Sequence, residues 1–470
     1  MSAAPHLYED LADRLAGMIA SGALRPGDRL PSVRRLSHQQ HVSVSTVLQA
    51  FLLLESRGLI EVRPQSGHYV RRGPSHALPE PRAPRAVPAP RLVTVADRVA
   101  RLYGAIGSVN TLGVAVPDPA LLPTDKLNRL LARISREAGA AGIAYAPPAG
   151  LPVLLRELSR RSPSWGCGIH ADELVVTSGA SEALHLALRA TTRRGDTIAV
   201  ESPAYYGLLQ LAESLGLKVL EIPAQPGTGL DLAQLADALR RRSIAAVLAV
   251  PSFSNPLGSC MPDESRRELV ELLGRHDVPL VEDDIYGDLH FDPDRPRLCR
   301  AFDRKGLVIV CSSVSKSLAP GYRIGWIAAG RFRDTIERLK FAHSVSSPTL
   351  PQMAVAEFLR SGGYDHHLRA LRRHLADQVA RYGAEIAARF PAGTRISRPR
   401  GGFVLWVELP RGTSALDLQE RALAQGVVVA PGPVFSASGR FANFVRINCG
   451  FPWNAATESA LATVARLAAA

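Results

Sequence analysis

The sequence has few cysteines, few lysines and no long apolar run, and each shortage excludes a class of protein. The 470 residues include five scattered cysteines: Cys167, Cys260, Cys299, Cys311 and Cys449. Their odd number and the absence of C-x-x-C spacing argue against a disulfide framework or a zinc ribbon, and favour a reducing compartment. No apolar run approaches the ~18–20 residues of a membrane helix, and the acidic, amphipathic start predicts no secretory signal. We therefore expect a cytoplasmic protein with no membrane partner.

The net charge of +13 is carried almost entirely by arginine, since only five of the 56 basic residues are lysines. Such a bias reflects genome composition as much as selection for binding, so charge alone is weak support for a nucleic-acid partner. Residues 1–73 hold nine arginines against six acidic residues, which is no local concentration. Support for DNA binding has to come from pattern.

Length and a proline-rich stretch divide the chain. A single core stops growing near ~250–300 residues, so 470 residues predict more than one domain. Residues 74–91 contain six prolines in eighteen positions, which excludes a helix or a central strand and favours an extended spacer. We expect a first domain over 1–73, a linker over 74–100 and a second domain over 101–470.

The first domain has the pattern of three short helices and a hairpin. Apolar residues recur at helical spacing from Leu7 to Ile19, and Ser32 and Ser43 can cap two further helices. Residues 60–62 and 68–70 alternate around a Pro-Gln-Ser-Gly turn, which is typical of a hairpin. This order of elements predicts a winged helix-turn-helix.

The segments GALRPGDRLPSVRRLS, VSVSTVLQAFLLLESRGLIE and RPQSGHYV, in this order, resemble the GntR-type winged helix. The resemblance implies that the third helix lies in the major groove of operator DNA and the hairpin reaches the minor groove. It also implies the DNA-contacting positions Arg34, Ser43, Ser45, Thr46, Ser66 and Gly67. One departure is Val44, where arginine is common in that family. The alternative is a three-helix protein-interaction domain.

The second domain alternates short apolar runs with helical segments. The runs LVVT, TIAVE, AAVLAVP, PLVEDD, LVIVCSS and GWIAAG predict an α/β domain with a mainly parallel sheet, whose ligand binds beyond the carboxyl ends of the strands. The sequence contains no G-x-G-x-x-G, no G-x-x-x-x-G-K-[ST], no H-E-x-x-H and no G-x-S-x-G. Dinucleotide-binding and hydrolase functions are therefore disfavoured.

Polar residues follow several of these runs. Lys316 comes just after an apolar strand, where burial lowers the pKa of an amine as a Schiff base requires. Neighbouring serines and Arg323 suit a phosphate dianion, and the Thr177–Glu182 turn offers free N–H groups at a helix start. Any one of the carboxylates at positions 282–284 could hold a proton on a ring nitrogen. Asn255 could bond a phenolate oxygen.

From about Thr111 onwards the chain resembles the fold-type-I pyridoxal-phosphate (PLP) enzymes of the aspartate aminotransferase superfamily, which carry a small C-terminal subdomain. The resemblance implies that Lys316 forms the Schiff base, Asp283 pairs the pyridine nitrogen, and Asn255 with Tyr286 bonds the ring hydroxyl. It implies that Tyr205 stacks on the ring, and that Arg446 clamps an effector or substrate carboxylate. The implied phosphate ligands are Ala180, Ser181, Ser313, Ser315, Arg323 and, from the partner of a homodimer, Tyr145.

Other interpretations of these residues stay open. Lys316 could be an ordinary surface lysine, and Glu282, Asp283 and Asp284 could bind a metal, although no clustered histidine accompanies them. We expect no metal. Arg446 could form a structural ion pair, and the role of Tyr145 depends on a partner subunit.

A GntR-like winged helix, a proline-rich linker and an aminotransferase-like domain, in that order, resemble the MocR family of bacterial regulators. The resemblance implies a dimeric, PLP-dependent transcriptional regulator that responds to a small amine, an amino acid or PLP itself. The main alternative is a working aminotransferase, for instance on 2-aminoadipate or aromatic amino acids, with an accessory DNA-binding domain. A sensor of PLP alone is a third possibility.

Overall fold

The computed structural model describes residues 7–20, 23–24, 28–56, 59–63, 67–70, 78–86, 89–104 and 110–470. The helices of these residues are α1 Leu7–Ala20, α2 Val33–Gln40, α3 Val44–Ser56, α4 Ala96–Gly104, α5 Thr124–Ala138, α6 Pro152–Arg161, α7 Ala180–Thr191, α8 Tyr206–Ser214, α9 Leu232–Arg241, α10 Asp263–His276, α11 Arg333–Ser344, α12 Thr349–Arg360, α13 Gly363–Arg389, α14 Ala415–Leu423 and α15 Ala455–Ala469. The strands are β1 Ile60–Arg63, β2 Gly67–Val70, β3 Arg91–Leu92, β4 Asn110–Thr111, β5 Leu174–Thr177, β6 Thr197–Ser202, β7 Lys218–Gln225, β8 Gly229–Leu230, β9 Ala246–Ala249, β10 Leu280–Asp283, β11 Val308–Ser313, β12 Gly325–Ala328, β13 Arg395–Ile396, β14 Val404–Glu408, β15 Val427–Val428, β16 Ala430–Pro431 and β17 Phe444–Asn448.

The first three helices and the β1–β2 hairpin share a small core of their own. Ser32 caps α2 by accepting a hydrogen bond from the backbone N–H of Arg35 at 3.3 Å, and Ser43 caps α3 through Thr46 at 3.1 Å. Both caps agree with the sequence. The core consists of Leu11, Ala12, Leu15, Leu30, Leu36, Val47, Ala50, Phe51, Leu54, Ile60 and Val70. Leu7 and Met18, which helical spacing assigns to the same face of α1, are instead 66% and 43% exposed.

The hairpin carries the wing. β1 and β2 are antiparallel, with Ile60 opposite Val70 and Arg63 opposite Gly67. Gly67 has a φ of 108°, a left-handed backbone conformation that glycine adopts without steric cost. The hairpin is tied to the chain before α2, because the backbone N–H of Leu30 donates to His68 and that of Val70 to Asp28. The winged helix-turn-helix pattern predicted from the sequence is therefore present.

Part of the predicted linker lies against the second domain. We call residues 78–86 the linker strap. The backbone N–H of Arg82 donates to the buried Glu408 carboxylate at 2.9 Å, and the N–H of Ile396 donates to the carbonyl of Pro79 at 3.0 Å. Beyond the strap, β3 pairs antiparallel with β7. Val99 of α4 is fully buried in the large-domain core. The strap, β3 and Val99, all within the 74–100 segment, are thus attached to the large domain.

The large domain is built on a nine-stranded sheet in the order β3-β7-β6-β9-β10-β11-β12-β5, with β8 paired to β7. The central strands β7, β6, β9, β10 and β11 are parallel, whereas β12 and β5 run antiparallel at one side. Strands β9, β10 and β11 are buried along their whole length, as parallel strands covered on both faces are. The predicted mainly parallel α/β domain is confirmed.

Helices cover both faces of this sheet. Successive residues of β10 belong to different cores, Leu280 to one and Val281 to the other, because neighbouring side chains of a strand point to opposite faces. The chain ends in a small subdomain with the antiparallel sheet β13-β14-β17-β16. The hydrophobic core of this subdomain includes residues of α13, α14 and α15. β4 and β15 form a separate parallel pair. The C-terminal subdomain expected from the family resemblance is present.

Two further sequence expectations concern cysteines and membranes. All five cysteines are free thiols in the structure, and Cys299, Cys311 and Cys449 are buried. Within the described ranges, no helix is both long enough and apolar enough to cross a bilayer.

Candidate functional site

A cleft with a cavity volume of about 140 Å³, partly open to solvent, lies at the carboxyl ends of the parallel strands of the large domain. Its lining includes the ends of β10 and β11, the first residues of α7 and the turns after β6 and β9. The lining residues are Ala115, Ala180, Ser181, Leu184, Tyr205, Val250, Asn255, Asp283, Ile285, Tyr286, Ser313, Ser315, Lys316 and Arg323. This is the edge of an open α/β sheet at which ligands bind.

Lys316 follows β11 in a tight turn and points into this cleft. Its Nζ donates a hydrogen bond to the carbonyl of Ala115 at 2.6 Å. Burial lowers the pKa of Lys316 to about 8, and the guanidinium groups of Arg446 and Arg323 act in the same direction, while Asp283 opposes them. A substantial fraction of this amine is therefore neutral near pH 8, as a nucleophilic lysine requires.

The three consecutive carboxylates at the end of β10 have separate surroundings. Glu282 is fully buried beside Arg266, at 3.7 Å, and accepts the backbone N–H of Cys299. Asp284 is paired with Arg295. Asp283 alone of the three lines the cleft. Neighbouring side chains of a strand point to opposite faces, so the structure distinguishes Asp283 from two carboxylates that the sequence pattern could not tell apart from it.

Asp283 is buried, and among the described residues no arginine forms an ion pair with it. Burial and, to a smaller extent, the neighbouring Asp284 carboxylate raise the pKa of Asp283 to about 7, although the backbone N–H of Ile285 and the amine of Lys316 act in the opposite direction. A cation placed beside Asp283 would favour its charged form. The site thus supplies a carboxylate suited to a protonated ring nitrogen.

Asn255, Tyr286 and Arg446 form a buried chain of polar groups. The amide of Asn255 donates to the hydroxyl of Tyr286 at 3.3 Å, and Arg446 donates to Asn255 Oδ1 at 3.1 Å and also to the carbonyl of Gly113. The Arg446 side chain is fully buried, and its Nε lacks a partner in the described part of the chain. No carboxylate of the described residues pairs with it, so the structure does not support the structural ion pair. A buried, charged guanidinium without a carboxylate suits an anionic ligand.

The opposite end of the cleft is built for an anion. Gly179, with a φ of 84°, precedes α7, so the N–H groups of the first helical turn are directed to the cleft and favour negative charge. Arg323 donates to Ser315 Oγ at 3.4 Å and to the carbonyl of Ser178 at 2.9 Å. A Cβ on Gly179 would collide with this guanidinium. Ser313 accepts the backbone N–H of Ser315 at 3.1 Å.

The two predicted tyrosines differ in position. Tyr205 lines the cleft at the start of α8, and its ring centroid is 4.6 Å from that of Tyr206. Tyr145 is 85% exposed and does not line the cleft of its own chain. The other predicted cofactor ligands are brought together in one cleft.

Sequence reasoning missed the side chains that support the Lys316 turn from α13. The hydroxyl of Ser317 lies 2.7 Å from that of Tyr364, which donates to Asp288 at 3.0 Å, and His367 Nε2 lies 2.8 Å from the carbonyl of Ser317. Burial alone would raise the pKa of Asp288, but Arg295 and Arg161 hold it well below its usual range. Asp288, Tyr364 and His367 are 28 or more positions from Lys316, so no local spacing could reveal them.

Three of the predicted DNA-contacting residues, Ser43, Ser45 and Thr46, lie at the start of α3. The hydroxyls of Ser45 and Thr46 are each 2.8 Å from Ser43 Oγ, and Arg34 of α2 is exposed nearby in the chain. Gly67 begins β2, whereas Ser66 lies outside the described residues. Val44, at the position where arginine was expected, is 46% exposed.

The carboxylates at positions 282–284 do not form a metal site. In the described ranges of the chain, no group of three or more histidine, cysteine, aspartate or glutamate side chains is arranged to hold a metal ion.

Comparison with known families matches both parts of the chain. Residues 7–70 match the gntR family of bacterial regulatory proteins. Residues 123–460 match the class I and II aminotransferase family. Over 459 residues the chain is 39% identical to the uncharacterized HTH-type transcriptional regulator YjiR of Escherichia coli (strain K12), covering 97% of each chain.

Solved structures resemble the large domain. The multiple substrate aminotransferase of Thermococcus profundus superposes with a TM-score of 0.74 at 25% identity, covering 80% of this chain and 95% of that one. The α-aminoadipate aminotransferase LysN of Thermus thermophilus, complexed with N-(5'-phosphopyridoxyl)-L-leucine, superposes with a TM-score of 0.72 at 27% identity, covering 80% of this chain and 98% of that one.

These matches confirm the fold-type-I class predicted from the sequence, and they indicate pyridoxal phosphate as the cofactor, as predicted. The matched gntR-family domain has the winged-helix architecture described above. The chain therefore belongs to the class I and II aminotransferase family and, through its N-terminal gntR-family domain, to the MocR-type regulators in which these two domains are fused.

Proposed function

We propose that this protein is a PLP-dependent transcriptional regulator. Its winged helix binds operator DNA, and its large domain binds PLP and responds to PLP itself or to an amine or amino acid that reacts with it. The observation that carries the proposal is the hydrogen bond from Lys316 Nζ to Ala115. Ala115 lies between β4 and α5 and lines the cleft, so a change at Lys316 acts directly on this part of the chain.

When bound, PLP supplies an aldehyde that combines with primary amines and an electron-withdrawing ring. The neutral fraction of Lys316 is the group that would bond to it, and this fraction rises as the pH passes through about 8. When it bonds to the aldehyde, Lys316 would lose its hydrogen bond to the carbonyl of Ala115. Asp283 would hold a proton at the ring nitrogen, and Asn255 with Tyr286 would orient the ring hydroxyl.

The remaining residues would position the ligand. Ser313, Ser315, Arg323 and the first N–H groups of α7, at Ala180 and Ser181, would hold the phosphate, and Tyr205 would pack against the ring. Arg446 would hold the effector carboxylate, and its hydrogen bond to the carbonyl of Gly113 would be replaced by one to that carboxylate.

The linker strap supports communication between the two domains. Arg446 lies on β17 opposite Trp406 of β14, and two residues further along β14 the Glu408 carboxylate accepts the backbone N–H of Arg82 in the strap. A carboxylate bound at Arg446 would therefore act beside Trp406, two residues along β14 from Glu408, which holds the strap. Differential contacts of this kind are what lets a ligand bias two arrangements of a protein.

Two coarser features complete the proposal. The exposed Tyr145, which sequence resemblance assigns to a neighbouring subunit's phosphate, supports a homodimer. Operator DNA as a partner supports a cytoplasmic location.

The specific alternative is a working aminotransferase. It is favoured by the cleft, which contains every predicted ligand of the cofactor except Tyr145, and by the similarity to LysN. Assaying 2-aminoadipate and aromatic amino acids with 2-oxoglutarate, with Lys316→Ala as the blank, separates the two functions. A regulator should turn over well below the ~1 per second of ordinary enzymes, and faster turnover without any DNA binding would favour the alternative.

We expect Lys316→Ala to lose covalent attachment of PLP. After incubation with PLP and reduction with borohydride, mass spectrometry should find a phosphopyridoxyl group on the wild-type peptide containing Lys316, but none on the variant. Weak PLP affinity should remain, because the phosphate contacts are intact. The surface control Lys305→Ala should be labelled like the wild type, and labelling of the buried Lys340 instead would contradict the assignment.

We expect Arg34→Ala to weaken binding to operator DNA selected from a random library, because a phosphate contact and its counterion release are lost. The slope of log affinity against log salt should become less negative by about 1. Fluorescence anisotropy over a salt series measures both quantities. Arg14→Ala removes the same charge from α1, where Arg14 contacts Asp10, and should leave the slope unchanged. Full affinity in Arg34→Ala would favour the protein-interaction interpretation.

A further inference from the structure

The third helix presents an apolar face to solvent. Val44, Leu48 and Leu52 are 46%, 44% and 63% exposed. Because they are four residues apart, they lie on one line along α3, about 12 Å from first to last at ~1.5 Å per residue. We call these three residues the apolar stripe. The core of the winged helix uses the other side of α3, where Val47 and Phe51 are buried, so packing within the domain does not explain the stripe.

The same helix lacks any basic side chain. Between Val44 and Ser56 the only ionisable residue is Glu55. The commonest specific contact to guanine, a bidentate arginine or lysine at O6 and N7, is therefore not available to α3. Next to the stripe, Ser45 and Gln49 are exposed one turn apart. Glutamine suits the N6 and N7 atoms of adenine, and aliphatic groups suit the 5-methyl group of thymine.

The surroundings of the stripe favour DNA over a protein partner. Arg34 and Arg35 of α2 are exposed, and the hydroxyls of Ser43 and Thr46 cluster at the start of α3. Cations, hydroxyls and a helix N-terminus are the groups that bind phosphates on either side of a groove. The stripe is therefore continuous with the proposed DNA-binding surface and has complementary charge beside it.

We propose that Val44 and Leu48 contact the 5-methyl groups of thymines in the major groove and that Gln49 contacts an adenine, so that the base pairs facing α3 are A·T. The inference rests on the proposed DNA-binding function. Leu52, at the far end of the stripe, is not assigned a base, because recognition helices contact bases through their N-terminal residues.

The first test is the selection of binding sites by the full-length protein from a random duplex library. The positions that face α3 are those whose base preference relaxes in Leu48→Ser or Val44→Ser. We expect these positions to be A·T in the wild-type consensus. Val44→Arg should shift one of them towards G·C, because it introduces the bidentate donor that α3 lacks. A consensus with G·C at these positions would overturn the inference and leave the proposed function intact.

The second test removes single methyl groups. Replacing a thymine at such a position with deoxyuridine changes only the 5-methyl group and should weaken wild-type binding by about fourfold, the value of one buried methyl group. At a position whose base preference relaxes in Leu48→Ser, that variant should bind the thymine and deoxyuridine sites alike. Leu7→Ser, which makes the same change at a 66% exposed position of α1, should still distinguish them.

Other outcomes would contradict the inference in separate ways. Equal wild-type affinity for thymine and deoxyuridine sites would exclude methyl contacts. If Leu48→Ser changed the oligomeric state while leaving DNA affinity unaltered, the stripe would be a protein interface. If no sequence were enriched at all, the DNA-binding function would fail, and this inference with it.

Discussion

Lys316, which is half-buried, and Asp283, which is buried, are an amine and a carboxylate at the carboxyl ends of the neighbouring strands β11 and β10. Burial moves both towards their neutral forms, lowering the pKa of Lys316 and raising that of Asp283. Other parts of the large domain hold these two side chains in position. The parallel sheet brings the strand ends together, and α13 supports the Lys316 turn through Tyr364 and His367.

The same amine donates a hydrogen bond to Ala115, which lies between β4 and α5. A freely flexible tether would transmit little of a change at the cleft. The linker strap differs from such a tether because its backbone is bonded to Glu408 and to β13. By contrast, the described ion pair between the domains, Glu9 with Arg373, is at the surface and contributes little energy. This surface ion pair therefore adds little to what holds the winged helix against the large domain.

The fold and the site were largely predictable from the sequence because their evidence is local. Six apolar runs correspond to six strands of the main sheet, and the strand-end residues identified the cleft. Strand β7 was missed, because Glu221 and Pro223 interrupt its apolar pattern; Glu221 is buried since Ser202 and Ser438 donate to it. The docking of the strap and the support from α13 depend on contacts between distant residues. Selecting Asp283 from three adjacent carboxylates required the structure or a family resemblance.

The central claim is that occupancy of the cleft changes DNA affinity, and a coupling measurement tests it most directly. Operator affinity should be measured at one fixed salt concentration with and without PLP, for the wild type, for Asp283→Asn and for the surface control Asp277→Asn, whose carboxylate pairs with the surface Arg331. We expect PLP to shift wild-type and control affinity by ~5- to 150-fold, Asp283→Asn to reduce that shift, and operator DNA to change PLP affinity by the same factor. Equal operator affinities in all cases, in a protein that transaminates rapidly, would contradict the account.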